Sequence, residues 1–362
     1  MSDVEEVPHL EPQKEIVEES AIDLETQESI DEKNKRHKYR LLTGTFTSGQ
    51  KEEYLQLGSV SVKSEVEEVD ISKYDPDLEG DFDQKILHQG DINRARYMPQ
   101  KPDLISTINN NGEVFIFDKT KHASQPSDEF KFDIKLSSHK KEGFGLSWNN
   151  HKEGQLLTCS IDGSTKLWDI TKFSKKTKII DSPVHDYKTD SQGTNDVSWL
   201  PQHDSIFSSV GEDNIIKIFD TRTNEIIKSS NIKSHAGGIN GLSFNLHNEY
   251  CLSTADSNGI INIWDIRDLE TSIFSINGHE GSISTLQFNP NKPQILATAG
   301  SEDNFVKLWD LGKPENDQLI FLHGGHMLGI NDISWNPHDT WMISSVSNDN
   351  TLQIWKPSQK II

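Results

Sequence analysis

The chain has 362 residues, with 57 acidic against 36 basic side chains and a formal net charge of −21. That balance argues against a nucleic-acid binder, which needs a lysine and arginine excess, and makes basic partners the natural complement. No apolar run approaches the roughly 20 residues that span a bilayer, so no membrane partner is expected. Two cysteines, Cys159 and Cys251, are too few for a disulfide framework or a thiolate metal site and suit a reducing compartment; the expected location is nucleus and cytoplasm.

The N-terminal stretch MSDVEEVPHLEPQ has neither the basic start nor the apolar run of a signal peptide. Residues 1–38 hold 12 acidic and 5 basic side chains and no aromatics. Such a segment cannot bury enough surface to offset its ordering entropy. It is expected to be an acidic segment, disordered or helical, ahead of a single β domain over 39–359. Within it, residues 14–36 carry helix formers, with Val17, Ala21 and Leu24 on one face, and a helix there needs something to dock it. From Tyr39 the pattern becomes period two: YRLLTGTFTSG and EEYLQLGSVSV predict two strands around a Gly/Ser turn. The acidic stretch 64–83 then reads as a surface loop. All eight Trp lie beyond residue 80, so the material for a core is concentrated there.

After residue 85 an internal repeat takes over. Copies end in VFIFD, TKLWD, IKIFD, INIWD, VKLWD and LQIWK, whose aromatics Phe117, Trp168, Phe219, Trp264, Trp309 and Trp355 are spaced by 51, 51, 45, 45 and 46 residues. About 30 residues before each ending lies a histidine: His88, His139, His235, His279 and His326, with a longer interval for His185. Between them come a strand with an aromatic (ARY, LSW, VSW, LSF, LQF, ISW), a small-residue strand (LLTCS, IFSSV, CLSTA, ILATAG, MISSV) and a turn residue: Asn111, Asp162, Asp213, Asp256, Asp303 or Asp349.

This pattern resembles the WD-repeat family, a β-propeller of four-stranded blades. The resemblance implies an all-β, seven-bladed WD-repeat β-propeller, with six plain copies and a degenerate seventh from the strands at 39–63. It also implies that in each blade the turn Asp accepts a hydrogen bond from the His, the His orients a Ser or Thr, and the indole N–H closes the network. His88, His139, His235, His279, His326, Asp162, Asp213, Asp303, Asp349, Trp168, Trp309 and Trp355 are assigned to that structural role. Phe117 and Phe219 have no N–H, so their blades must lack the last link. Six histidines beside six Asp or Asn could suggest catalytic dyads or metal sites, but an enzyme needs one constellation rather than six. GxSxG, HExxH, GxxxxGK[ST] and CxxC are all missing. The reading is a non-catalytic binding platform, with no catalytic residue, cofactor or metal.

Several stretches go beyond the generic repeat: HQGDINRARYMPQKP (88–102), FDKTKH (117–122), HKKEGFGLSWN (139–149), HGGHMLGINDISWNP (323–337) and LLTGTFTSG. Together they resemble the histone-binding WD-repeat family of retinoblastoma-binding proteins, the chromatin assembly factor 1 small subunit and type B histone acetyltransferase subunit 2. The resemblance implies a channel face where acidic and amide side chains take a basic histone tail. The matching positions are Asp91, Asn93, Glu142, Phe144 and Asn240. Where relatives carry further acids this chain has Asn195, Gly238, Ser282 and Asn348, and Ser284 replaces an aromatic. Arg94 and Arg96 are expected to pair with neighbouring acids. The resemblance also implies a groove for histone H4 between an N-terminal helix and an acidic loop, here reduced to LGKPENDQLI with Glu315 and Asp317. The family's aromatic-rich helix and following Trp-Pro-Ser-Leu strand are missing, so either residues 14–36 stand in as the helix or the chain is truncated or divergent there. The expected partners are histones H4 and H3 and the catalytic subunit of a type B histone acetyltransferase. Alternatives are a chaperone subunit of chromatin assembly factor 1 or a deacetylase complex, and a generic scaffold such as a ubiquitin-ligase substrate receptor.

Overall fold

The computed structural model describes residues 18–31, 36–63, 81–172, 178–189, 192–230 and 235–358. Period-two segments pair into seven sheets, antiparallel except where Ile179–Ile180 adds in parallel to Ile134–Leu136. The inner strands are Glu18–Asp31, Ile92–Met98, Gly143–Trp148, Thr194–Trp199, Ile239–Phe244, Ile283–Phe288 and Ile330–Trp335, and they define blades 1 to 7 in that order. Each inner strand packs against the next, and that of blade 7 packs against that of blade 1, so the ring closes. Among the described residues blades 1 to 6 have at least four strands and blade 7 has three.

The small-residue strands come second in each blade and are buried almost throughout, as in Gln155–Ser160, Cys251–Asp256 and Ile295–Gly300. Both of their faces meet protein, so they read as continuous small or apolar runs rather than alternating ones. Indole groups of the inner strands bind across blades: Trp148 Nε1–H donates to the Arg96 carbonyl at 3.3 Å, Trp199 to Ser147 at 3.1 Å and Trp335 to Gln287 at 3.0 Å.

The histidines are structural. In blade 3 Trp168 Nε1–H donates to Thr158 Oγ1 (2.9 Å), Thr158 Oγ1 lies 2.8 Å from His139 Nε2, and His139 Nδ1 lies 3.3 Å from Asp162 Oδ2. Blade 5 repeats this with Trp264, Thr254, His235 and Asp256, and blade 6 with Trp309, Thr298, His279 and Asp303. Asp256 serves although its turn is longer. In blade 7 Trp355 and His326 meet on Ser345, and Thr351 joins Asp349 at His326 Nδ1. Burial opposes ionisation of Asp162 and Asp303, but the hydrogen bonds from His139 and His279 hold both carboxyls well below the usual carboxylate range. Burial also pushes His139, His279 and His326 down, so their rings are neutral and can accept at Nε2.

Two expectations need correction. His88 binds Thr107 Oγ1 at 2.8 Å, but its Nδ1 donates to the Gly90 carbonyl at 2.9 Å rather than to Asn111, and burial lowers it to about 4. In blade 4 His185 does not head a network, and Asp213 instead accepts from Lys217 and from the Ile215 amide at 3.0 Å. The insertion shifts the register, and Thr189 takes the histidine's place. Its amide donates to Gly163 O (3.0 Å) as that of His279 donates to Gly259 O (3.2 Å). With Phe219 in place of an indole, that network has neither end.

The helix possible within 14–36 is also not found among the described residues, which leave out 32–35. Residues 18–31 form a strand in register with Arg36–Phe46, so the first sheet spans both sides of Lys38; residues 14–17 lie outside the described residues. A lone helix with no docking face is marginal in water, whereas a strand completes the inner position of blade 1 and satisfies its backbone through a ladder. Of the loop expected at 64–83, residues 64–80 lie outside the described residues and 81–83 begin the strand Asp81–His88.

Candidate functional site

The second residue of each inner strand in blades 2 to 7 faces one mouth of the central channel: Asn93, Phe144, Asn195, Asn240, Ser284 and Asn331. With Phe46, Arg94, Glu212 and Asn348 they line a cavity of about 340 Å³. The repeat generates this ring, because one strand position recurs at the same height in every blade.

Three of the asparagines latch neighbouring blades, and Asn331 bonds within blade 7. Asn93 Nδ2 donates to the Gly143 carbonyl and to Glu142 Oε1, each at 3.0 Å. Asn195 Nδ2 donates to the Ile239 carbonyl (3.1 Å) and Glu212 Oε1 (2.8 Å). Asn240 Nδ2 donates to the Ile283 carbonyl (3.0 Å) and Ser282 Oγ (2.9 Å), and Asn331 Nδ2 donates to Asn348 Oδ1 at 2.8 Å. The N–H groups of the first three are thus committed to protein, while their Oδ1 atoms accept no hydrogen bond among the described residues. The mouth therefore presents acceptors, fixed in place and edged by the carboxylates of Glu142 and Glu212.

The floor is set by two arginines of blade 2 that reach across the channel. Arg94 Nη1 pairs with Asp196 of blade 4 at 2.5 Å and Arg96 Nη1 with Asp332 of blade 7 at 3.1 Å. Arg94 lines both halves of the channel, so this neutralised pair separates the upper mouth from the lower half. The site offers hydrogen-bond acceptors and negative charge to a lysine or arginine side chain, which carry only donors.

Of the residues expected on this face, Asn93, Phe144 and Asn240 come together, and Glu142 joins them through Asn93. Asp91 is elsewhere: it is 4% exposed, accepts from Asn110 Nδ2 (2.6 Å) and the Thr47 amide (3.2 Å), and sits in the seam between blades 1 and 2. Glu315 and Asp317 form an exposed single turn on the outer rim of blade 6. No helix faces them among the described residues, because residues 18–31 lie in the inner ring instead. Asn195, Ser284, Asn331 and Asn348 line the mouth without having been expected there as contacts, as do Phe46 and Glu212. For all but Phe46, strand register, one residue into each inner strand or at the turn before its Asp, is the signal that marks them.

A family model described as "WD domain, G-beta repeat" matches residues 134–169 and 317–356, and one described as "EIPR1 beta-propeller" matches 169–309. Histone-binding protein MSI1 of Saccharomyces cerevisiae is 38% identical to the chain, covering 90% of it and 85% of the yeast protein. The chain belongs to the histone-binding WD-repeat family. Histone acetyltransferase type B subunit 2 of Candida glabrata is 34% identical, over 90% of the chain and 80% of that protein.

Proposed function

We propose that the protein is a non-catalytic, histone-binding subunit of a type B histone acetyltransferase. In that role it holds newly made histone H4, with H3, for a separate catalytic subunit in the nucleus and cytoplasm. The observation that carries this reading is the channel mouth: unpaired amide oxygens of Asn93, Asn195 and Asn240 beside Glu142 and Glu212, on a chain of charge −21. Such a surface attracts a basic tail at long range and receives its cations at close range. Binding needs no chemistry from the chain, and His88, His139, His235, His279 and His326 are occupied in structural networks.

A second reading, a histone-chaperone subunit such as that of chromatin assembly factor 1, draws support from the 38% identical relative, whose name specifies histone binding without an acetyltransferase. Affinity purification of the chain from its own cells at moderate salt separates the readings. Co-purification of histones H3 and H4 with an acetyltransferase catalytic subunit is the expected result. Histones accompanied by the assembly factor's large subunit and no acetyltransferase would establish the second reading. Absence of histones would overturn both.

A further inference from the structure

The residue that follows each blade histidine on the mouth face is polar or small in four blades: Gln89, Lys140, Ala236 and Glu280. In blade 7 it is Met327, 79% exposed, followed by Leu328, 51% exposed. Two neighbouring large apolar side chains held in water are costly to leave uncovered. Their backbone is not loose. The Met327 amide donates to Asp349 Oδ2 at 2.7 Å, the Met327 carbonyl accepts from Asn304 Nδ2 at 3.3 Å, and the Leu328 carbonyl accepts from Ser347 Oγ at 2.9 Å. The next residue, Gly329, accepts from the Asn348 amide at 3.0 Å and lies so close to Ser301 that a Cβ would meet its carbonyl oxygen at 2.1 Å. The pair is a fixed projection built on the turn whose Asn348 lines the channel mouth.

Its position in the ring matters. Glu142 leads into blade 3 and Glu212 belongs to blade 4, and in a ring of seven both lie three blades from blade 7. The carboxylates and the apolar pair therefore sit on opposite sides of one mouth, with the asparagine oxygens between them.

We infer that Met327 and Leu328 are the apolar anchor for the peptide that binds the mouth, so that its ligand is an extended basic segment carrying an aliphatic side chain one channel width from its cation. This rests on the basic-peptide reading above and adds a specificity rule to it. Asparagine oxygens satisfy the peptide's N–H groups in between. The cation alone gives attraction without register, and the aliphatic residue sets which segment of a basic tail seats.

The test uses the full chain and synthetic basic peptides in which a single leucine is moved stepwise away from an arginine pair, each with a serine-substituted control, read by calorimetry. Wild type is expected to prefer the leucine peptide over its control by about tenfold at one spacing. Met327→Ser with Leu328→Ser should abolish that preference while binding the serine controls as wild type does. A preference that survives in the double variant, or equal binding of leucine and serine peptides at every spacing, would overturn the inference while leaving the basic-peptide reading intact. Failure of every peptide to bind wild type would overturn both.

Discussion

The backbone N–H of Thr47 lies 2.7 Å from Glu53 Oε1 and 3.2 Å from Asp91 Oδ1, so two buried carboxyl groups on neighbouring blades share one donor. Thr45 Oγ1 also donates to Glu53, at 2.5 Å. Burial raises Glu53, and its hydrogen bond to Asp91 adds to the effect against the lowering from Thr45 and Thr47. A raised carboxyl favours folding when protonated, so its contribution is fully present below the unfolded value near 4.5 and is lost as pH rises through the folded value. Glu53→Gln supplies a neutral N–H donor to Asp91 at every pH. The variant is expected to match or exceed wild type in melting temperature at pH 8 and to lose that advantage at pH 4. A variant less stable than wild type at pH 8 by as much as at pH 4 would contradict the account of Glu53 as a raised, buried carboxyl in this seam.

Removing Asp303 leaves the His279 N–H without its acceptor inside blade 6. Asp303→Ala should cost about 1–3 kcal/mol, the penalty of an unsatisfied buried group. Asp213→Ala, at the same turn position of blade 4 but facing Lys217 and, among the described residues, no histidine, should cost less than about 1 kcal/mol. Urea unfolding of the two variants side by side checks the contrast, and equal losses would refute it.

Arg94 and Asp196 are both largely buried. Arg94→Met alone strands the Asp196 carboxylate and should cost about 3–5 kcal/mol, whereas Arg94→Met with Asp196→Leu should recover most of that loss. Thermal denaturation of the single and double variants decides this. A double variant as unstable as the single one would show that the pair does more than neutralise itself.

The buried neutral histidines set the acid side of the stability profile. The folded value of His88, about 4, lies below its ordinary 6.5, so the unfolded chain binds more protons between the two and stability falls as pH drops through that window. His139, His279 and His326 are shifted in the same direction. Melting temperature should therefore decline from pH 7 to pH 5, and His88→Asn should shallow that slope. An unchanged slope would mean that His88 is not the titrating group.

The propeller was legible because its signals repeat. His88, His139, His235, His279 and His326 each meet a Thr or Ser 19 residues later, so one register describes five blades. His185 broke that register through a local insertion, which its longer interval flags without showing that Thr189 takes its place. The channel mouth was half legible. Asn93, Phe144 and Asn240 stood out in distinctive stretches and Asn195 and Ser284 as departures from the family's pattern, whereas Asn331 gains meaning only once the second position of every inner strand is seen to share one rim. Asp91 was misplaced because its burial depends on Thr47, a residue of the non-repeating first blade. Residues 18–31 carry helix formers, and the vacant inner position that makes them a strand is a property of the closed ring rather than of their local sequence.

The central claim is that the channel mouth receives the cations of a histone tail. Titration calorimetry with a basic histone-tail peptide, comparing wild type with Glu142→Gln, Glu212→Gln double variant, tests it most directly. The account predicts a loss of affinity of about tenfold or more, steepest at low salt, with the melting temperature within a few degrees of wild type. Equal affinity in the two proteins at low salt would contradict it.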